Sequence, residues 1–246
     1  MIQSMRLLLK QLYRATIAIT VEQETGKVIE FVNRGRAHQE WGCKILEVGC
    51  GYGRYLHRLQ GLGFDVTGVD ANPELVRANL EAGLRCLTVD EWRNTTDAYD
   101  VILMSHVIEH FAPHDLVPFM DGYLDRLKVG GALVIATPFL TPFFYDDFDH
   151  VRPYNPLGFL MVFGEEKAQV QYYARNKLCL DNIWIRRGFW RFAYHRGRFV
   201  PSFSRRILQL VELASAMVFR FSAGMIGQAD GWVGLFRKVK SVTAVK

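Results

Sequence analysis

The segment from Lys44 to Leu56 constrains the fold of this chain more than any other part of the sequence. It reads KILEVGCGYGRYL: an apolar run that favours a strand stops at Gly49, Gly51 and Gly53, and a helix-compatible stretch follows. Glycines let the backbone approach a ligand, and the first amides of the next helix point at that ligand. The pattern therefore predicts a strand, a glycine turn and a helix that form a nucleotide site in an α/β fold.

The glycine spacing and two carboxylates narrow the choice of ligand. The spacing is G-x-G-x-G, whereas dinucleotide folds carry G-x-G-x-x-G, and Glu47 comes just before the turn. A carboxylate there disfavours a pyrophosphate and suits a ligand with a positive charge. A second apolar strand ends in Asp70, about 20 residues beyond the turn, where an acid can accept both hydroxyls of a ribose. These features fit an adenosine-type ligand with a cationic end.

The order of the downstream motifs resembles that of class I S-adenosylmethionine-dependent methyltransferases. The matching elements cover roughly residues 40–140: the glycine motif at 45–53, then 68–70, 89–92, 99–110 and 127–138. Five elements in the family's order are far more specific than one glycine loop. A nicotinamide-dependent dehydrogenase also carries an acid after its second strand, but Glu47, the shorter glycine spacing and the segment 105–110 argue against that class.

The resemblance implies S-adenosylmethionine as the cofactor and a set of residues that contact it. These are Glu47, Gly49, Cys50, Gly51 and Gly53 at the amino-acid end of the donor, Asp70 and Ala71 after the second strand, Asp90, Glu91 and Trp92 in the adenine-side loop, and Ser105 after the fourth strand.

Hydrophobic periodicity and turn signals predict alternating strands and helices through the core. We expect strands at 44–48, 64–69, 84–88, 99–104 and 131–137, helices at 53–61, 73–81 and 115–126, and two earlier helices at 3–20 and 28–39. This alternation predicts an α/β fold with a doubly wound, mainly parallel sheet and helices on both faces.

The resemblance further implies a seven-stranded Rossmann-like sheet with an antiparallel last strand. Strands at 177–186 and 231–238 would form its end, with a helical insertion before the last strand, at about 188–229. We expect one methyltransferase domain over residues 1–246, with an N-terminal helical cap at 1–40, a cofactor-binding core at 41–140, an acceptor-site loop region at 141–176 and terminal strands at 177–239.

Three histidines are the candidate catalytic residues. His106 and His110 follow the fourth strand and are four residues apart, so a helical turn would place both on one side. His150 lies in an aromatic segment beyond Pro138, where the adjacent Asp149 could orient the ring and raise its basicity. A base is needed only if the acceptor is a hydroxyl or a protonated amine. The resemblance favours His150 as the base and His110 as a structural or substrate contact; a structural role remains open for all three.

The same region argues against two other chemistries. His106, His110 and His114 recur at helical spacing, but Pro113 interrupts that helix, and the carboxylate cluster of metal-dependent catechol methyltransferases is missing. We therefore expect no metal. The Asp/Asn-Pro-Pro-aromatic tetrad of nucleic-acid amino methylation is also missing, and no cysteine stands where ring-carbon methylation needs one. Nucleic acid is therefore not the expected substrate.

Arginine and aromatic residues alternate in the insertion, and residues 182–211 contain no Asp or Glu. This stretch accounts for much of the net charge of +5. A helix-prone apolar run follows at 207–226, interrupted by Glu212 and Arg220. Such a run suits an anionic membrane surface. The alternative is a helix that covers the substrate pocket or forms a homodimer surface.

The expected function is methyl transfer from S-adenosylmethionine to an oxygen of a small or lipid-linked, anionic acceptor. One alternative is a nucleic-acid or protein methyltransferase that docks a polyanion through the arginines. Another is a non-catalytic interaction protein that binds the donor. The four cysteines lack ligand spacing, and the basic, apolar N-terminus lacks a cleavage site. These features favour the cytoplasm, with membrane association at its inner face as an option.

Overall fold

The computed structural model describes residues 2–36, 42–166, 169–200 and 202–239. Within these residues the strands are β1 (Lys44–Val48), β2 (Asp65–Asp70), β3 (Cys86–Thr88), β4 (Tyr99–Ser105), β5 (Leu127–Pro138), β6 (Lys177–Gly188) and β7 (Gln228–Val239). The helices are α1 (Ile2–Arg36), α2 (Arg54–Gly61), α3 (Pro73–Glu81), α4 (Val89–Arg93), α5 (Pro113–Leu124), α6 (Pro156–Phe163), α7 (Arg196–Phe199) and α8 (Phe203–Phe221), and short 3₁₀ turns cover Ile108–His110 and Phe144–Asp146.

The strands form one seven-stranded sheet in the order β3-β2-β1-β4-β5-β7-β6. Strands β1 to β5 are parallel, and β7 lies antiparallel between β5 and β6. This confirms the predicted doubly wound sheet and its antiparallel last strand. Strands β1 and β4 pair in parallel, so their carboxyl ends are neighbours, with Val48 paired to Met104. The strand order reverses between these two strands. Open α/β sheets bind ligands in the crevice at such a point.

Apolar side chains cover both faces of the sheet. On one face, Phe31 and Val32 of α1 pack into a cluster with residues of β1, β4 and β5. On the other face, Met120 of α5 and Phe159 of α6 pack against the same strands. Strands buried on both faces are typical of parallel sheets. The loops at the carboxyl edge therefore start from a rigid support.

Several predicted boundaries are wrong. The helices expected at 3–20 and 28–39 form one continuous helix, α1, because the intervening residues contain no proline and Gly26 has open space around it. Positions 37–39 of the second predicted helix lie outside the described residues. Strand β3 begins at Cys86, since the Leu84 N–H instead donates to the carbonyl of Asn79 at the end of α3. Helix α5 begins earlier than predicted, at Pro113, a residue favoured at the first helical position.

Candidate active site

The glycine turn after β1 is held by hydrogen bonds from two neighbouring elements. The Gly49 N–H donates to the carbonyl of Val69 at 2.7 Å. The Asp70 carboxylate accepts the N–H of Gly51 at 2.8 Å. From α3, the Asn79 side-chain amide donates to the carbonyl of Gly51, also at 2.8 Å. Asp70 therefore supports the turn itself, and Asn79 supports it from a helix that carries no motif for this role.

The three glycines of the turn have left-handed φ angles but different surroundings. The φ values are 68° at Gly49, 54° at Gly51 and 74° at Gly53. A Cβ atom would lie 2.6 Å from the Val107 side chain at Gly49 and 2.3 Å from the Asn79 side chain at Gly53. At Gly51 it would meet no described atom within 4 Å. Packing therefore excludes a side chain at the first and third glycines, whereas the second exposes its backbone to open space.

We expect Gly51→Ala to lower donor affinity at least tenfold while reducing the free energy of unfolding by only about 1–2 kcal/mol. The stability loss is the usual cost of a left-handed non-glycine residue, and the affinity loss follows because the new methyl group occupies space left for the ligand. Calorimetric titration and urea unfolding measure the two effects. Gly63→Ala is the matched control, because Gly63 has a φ of 81° and equally open surroundings in the turn after α2. Equal donor affinity in both variants would contradict this placement of the ligand.

Three further predicted donor residues flank the turn. The Cys50 thiol is buried beside Cys86, with their sulfur atoms 3.4 Å apart, so its backbone is the part that can meet a donor. Ala71 is exposed after β2, and Ser105 is half-buried at the end of β4. These positions lie at the carboxyl ends of three strands that adjoin in the sheet, β2, β1 and β4.

Glu47 is a buried carboxylate with an unused oxygen. The residue is 2% exposed, and its Oε2 has no hydrogen-bond partner among the described residues. Burial raises the pKa of Glu47 well above its usual range, against the positive charge of Arg54 and a hydrogen bond from the Leu56 N–H. A buried polar atom without a partner is costly, and a cationic ligand would supply the missing partner. This is the feature expected at the amino-acid end of the donor.

Glu24 of α1 lies at the centre of a charge network that the sequence did not indicate. Its carboxylate is 3.1 Å from Nε2 of His106 and accepts a hydrogen bond from Arg186 of β6. The Arg54 guanidinium at the start of α2 is 3.7 Å away. Arg186 also donates to the Asp230 carboxylate of β7 at 2.8 Å. The network therefore joins α1 to both halves of the sheet.

His106 is held between two carboxylates. Its Nε2 faces Glu24, and its Nδ1 is 3.2 Å from Oε1 of Glu109, whose other oxygen accepts the Thr137 hydroxyl at 3.0 Å. Burial would lower the pKa of His106, but hydrogen bonds to Glu109 and Glu24 and their charges raise it to about 9. Burial would raise the pKa of Glu24, but His106 and Arg186 lower it to about 2. A ring protonated at neutral pH is a poor proton acceptor, which favours a structural role for His106.

His110 and His150 come together although 40 residues separate them, with ring centroids 5.1 Å apart. His110 Nδ1 is 3.0 Å from the carbonyl of Asp149, and His150 Nδ1 is 2.7 Å from the carbonyl of Phe144. A carbonyl oxygen can only accept, so each Nδ1 carries a proton, and Nε2 is the ring nitrogen left to accept one. The carboxylate near the His150 ring is that of Asp147, 3.7 Å from Nε2, instead of the predicted Asp149.

A backbone contact fixes the segment that carries His150. The Glu109 carbonyl, in the turn after β4, accepts the N–H groups of Val151 and Arg152 at 2.9 and 3.0 Å. The aromatic segment after β5 is therefore tied to the neighbouring turn at the carboxyl edge. This supports the prediction that it covers the acceptor side of the site.

The side chains that could together hold a metal ion in the structure differ from the three histidines compared in the sequence. Glu109, His110 and His150 can each offer one ligand atom, and these atoms lie within 4.8 Å of one another. The spacing of His106, His110 and His114 does not form a row on one helix, because α5 begins anew at Pro113.

The loop predicted on the adenine side is instead the short helix α4. Its first residues form a reciprocal cap, in which Glu91 accepts the Thr88 N–H at 2.7 Å and Thr88 accepts the Glu91 N–H at 3.2 Å. Trp92 is buried and stacks on Tyr123, with ring centroids 4.3 Å apart. Glu91 and Trp92 thus have structural contacts that a sequence motif did not reveal. Asp90 and Glu91 are both exposed, and the Asp90 carboxylate pairs with Arg93 at 3.0 Å.

A cavity of about 650 Å³ lies away from these residues, between α1, β6 and the turn after α8. Lys27, Trp184, Arg187 and Met225 are among its lining residues. None of the predicted donor or catalytic residues lines it. The glycine turn, His106 and His110 instead follow β1 and β4 at the carboxyl edge of the sheet, where the strand order reverses.

The fold and this edge define a class I S-adenosylmethionine-dependent methyltransferase. Residues 20–211 match the family described as a methyltransferase domain, and the chain belongs to that family. The matched range begins inside α1, ahead of Glu24, and ends inside α8.

Two relatives share the core of this sequence. The ubiquinone biosynthesis O-methyltransferase of Cereibacter sphaeroides (strain ATCC 17025 / ATH 2.4.3) is 36% identical over 105 residues, which are 39% of this chain and 41% of that protein. The protein of the same name from Chelativorans sp. (strain BNC1) is 36% identical over 104 residues, 39% of this chain and 40% of that one. The similarity therefore spans less than half the length of these relatives.

Solved structures with low sequence identity share the fold. The N-methyltransferase NodS from Bradyrhizobium japonicum WM9, in complex with S-adenosyl-l-homocysteine, has a TM-score of 0.54 and 14% identity, covering 90% of this chain and 88% of that one. Magnesium protoporphyrin IX methyltransferase from Synechocystis PCC 6803 has a TM-score of 0.54 and 11% identity, covering 92% and 83%.

Proposed function

We propose that this enzyme transfers the methyl group of S-adenosylmethionine to an oxygen of a small or lipid-linked, anionic acceptor. The observation that carries this proposal is the His110–His150 pair, in which two rings have their Nδ1 atoms occupied by carbonyls and present Nε2 at the carboxyl edge of the sheet. A hydroxyl acceptor needs such a base. The two relatives that are similar over part of their length are both named O-methyltransferases, which supports an oxygen acceptor.

The donor would lie across the carboxyl ends of β1 and β2. Its ammonium group would pair with Glu47, its carboxylate would lie near Arg54, and its ribose hydroxyls would meet Asp70. Gly51 would allow the backbone to approach it. The sulfonium then faces β4, because the glycine turn and the His106–His110 segment follow adjacent strands.

The acceptor would enter from the side of β5, beneath the aromatic segment that contains His150. Methyl transfer is a direct displacement, so the protein mainly has to align the acceptor oxygen with the methyl carbon and keep water out. In this arrangement His150 Nε2 accepts the hydroxyl proton as the new oxygen–carbon bond forms and the sulfur departs. His110 lines the same space.

We expect His150→Gln to lower kcat by a factor of about 10²–10⁴, the usual contribution of a general base, without changing donor affinity. The assay incubates methyl-labelled S-adenosylmethionine with a cell extract and separates solvent-extractable products from protein and nucleic acid. His114→Gln is the matched control, because His114 is an exposed histidine beside Asp115 and should retain full activity.

The fraction that carries the label decides the acceptor class. Label in the solvent fraction supports an oxygen acceptor if mild base releases it as methanol, as from a methyl ester, or if hot hydriodic acid releases it as methyl iodide, as from a methyl ether. Label in the protein or nucleic-acid fraction would overturn the proposal and indicate that the arginines of the insertion hold a polymer. Full activity of His150→Gln would remove His150 from the chemistry.

A further inference from the structure

Helix α8 is oriented with an apolar face toward solvent. Residues Phe203, Ile207, Leu210, Val211, Met217, Val218 and Phe221 are all exposed. Their spacing of three and four residues places them along one side of the helix. We call them the outward stripe. Ordinary surface helices bury such a stripe, and large exposed apolar patches mark interaction sites.

The inward face of α8 explains why this orientation is stable. Leu208, Glu212, Ala216 and Phe219 are buried and occupy the opposite side of the helix. Glu212 accepts the N–H of Phe192 at 3.1 Å, and nearby the Ser215 hydroxyl accepts the N–H of Trp190 at 2.9 Å. These bonds attach α8 to the segment after β6 through polar as well as apolar contacts. Turning the outward stripe inward would bury Arg side chains and break these bonds.

Other exposed apolar residues stand close to α8 in the sequence. Phe199 and Val200 are exposed just before α8, and Met225 and Ile226 are exposed just after it.

The exposed charges of α8 itself have one sign. Arg205, Arg206 and Arg220 are exposed on α8 and form no ion pair with the described part of the chain. Arg196 is exposed on α7. The acidic residue of α8, Glu212, is buried.

We propose that the outward stripe and its arginines dock on the surface of a bilayer that contains anionic lipids. Apolar side chains enter the headgroup boundary, and arginines contact the lipid phosphates, as for helices that lie in a membrane interface. The structure contains no helix, within its described residues, that is long and apolar enough to cross a membrane, so docking is peripheral.

The same observations disfavour the other occupants of this surface. A second copy of the chain would bring two sets of arginines toward each other, and like charges at an interface are unfavourable. A nucleic acid would pair with the arginines but would leave the outward stripe in water. A lipid surface satisfies both the charge and the apolar area. This inference does not depend on which acceptor the enzyme methylates.

The test is co-sedimentation of the full chain with vesicles of phosphatidylcholine alone and with added phosphatidylglycerol. We expect binding to the mixed vesicles, weaker binding to the neutral ones, and a decrease with added salt. Leu210→Gln should lower the partition coefficient about tenfold or more, because the bilayer would no longer remove an apolar leucine side chain from water. Leu80→Gln, at an equally exposed leucine of α3, is the control and should bind as the wild type does.

A charge variant separates the electrostatic contribution. Arg206→Gln combined with Arg220→Gln, the two exposed arginines of α8 nearest the outward stripe, should weaken binding to the phosphatidylglycerol vesicles by about fivefold or more per arginine and should remove part of the salt dependence. Arg93→Gln on α4 should have no effect. Thermal unfolding of each variant shows that the fold is retained, since all these side chains are exposed.

Two results would overturn the proposal. One is equal sedimentation of the Leu210→Gln and Leu80→Gln variants with mixed vesicles. The other is a wild-type protein that forms dimers and does not bind vesicles, together with a Leu210→Gln variant that is monomeric. That result would mean that the outward stripe contacts a second copy of the chain. None of these experiments measures methyl transfer. A failure of vesicle binding therefore leaves the proposed activity untouched, and a failure of the activity assay leaves the membrane proposal untouched.

Discussion

Glu47→Gln is expected to weaken S-adenosylmethionine binding by roughly 30-fold or more, the usual cost of removing one member of a buried charged pair. Glutamine preserves the shape of the side chain but cannot balance the donor's ammonium group. The protein itself should remain at least as stable, because the free carboxyl is buried with an unpaired oxygen and a raised pKa. Calorimetric titration gives the affinity, and thermal unfolding gives the stability.

The ligand provides an internal control for this prediction. 5′-Methylthioadenosine lacks the amino-acid group, so its affinity should be the same for Glu47→Gln and the wild type. An equal loss for both ligands would mean that the substitution distorts the glycine turn. An unchanged affinity for S-adenosylmethionine would place the donor's ammonium group elsewhere.

The raised pKa of Glu47 also gives donor binding a pH dependence. Only the ionised carboxylate attracts the ammonium group, so affinity should increase as the pH rises through the raised pKa. Below that pH, binding should release a proton, which calorimetry detects as a heat that depends on the buffer. The Glu47→Gln variant should lose this dependence.

Glu24→Gln is expected to lower the free energy of unfolding by about 3–5 kcal/mol, because it leaves His106 and Arg186 without their shared anion. The Glu24 side chain is 4% exposed, so water cannot compensate. Urea unfolding measures the change. Glu22→Gln is the matched control on the same helix: Glu22 pairs with Arg58 at the surface, and its loss should have little effect. Similar unfolding curves for the two variants would contradict the importance of the network.

The network should make stability depend on pH in a defined direction. The pKa of His106 is raised to about 9, above the ordinary histidine value of 6.5. Its contribution is therefore fully present below about pH 6.5 and is lost as the pH rises through about 9. Glu24→Gln should reduce this alkaline loss, because one of the two anions that stabilise the imidazolium is gone.

The strand and glycine turn of the expected donor site could be predicted from the sequence because their signals are local. A strand, three glycines and an acid after the next strand occur within a short stretch, and each residue type has a direct geometric reason. The structure confirms the doubly wound seven-stranded sheet with its antiparallel last strand and the glycine turn, and it adds a support role for Asp70 through the Gly51 N–H. The binding roles themselves stay predictions.

The contacts of the candidate histidines and of Trp92 were harder to predict, because their partners are distant in sequence or are set by local turns. Glu24 and His106 are 82 residues apart, and nothing near either residue indicates the other. The choice of Asp149 beside His150 followed from adjacency, but the 3₁₀ turn at 144–146 brings Asp147 to the ring instead. Trp92 was assigned to the adenine from the family resemblance of residues 89–92, although it is buried in the core and stacks on Tyr123.

The continuity of α1 has a practical consequence for anyone who shortens this chain. A fragment cut just before β1 would keep every recognisable sequence motif of the donor site. It would nevertheless lose Phe31 and Val32 from one face of the sheet and Glu24 from between two cations. A fragment that keeps these contacts must therefore begin within α1, well before the first sequence motif.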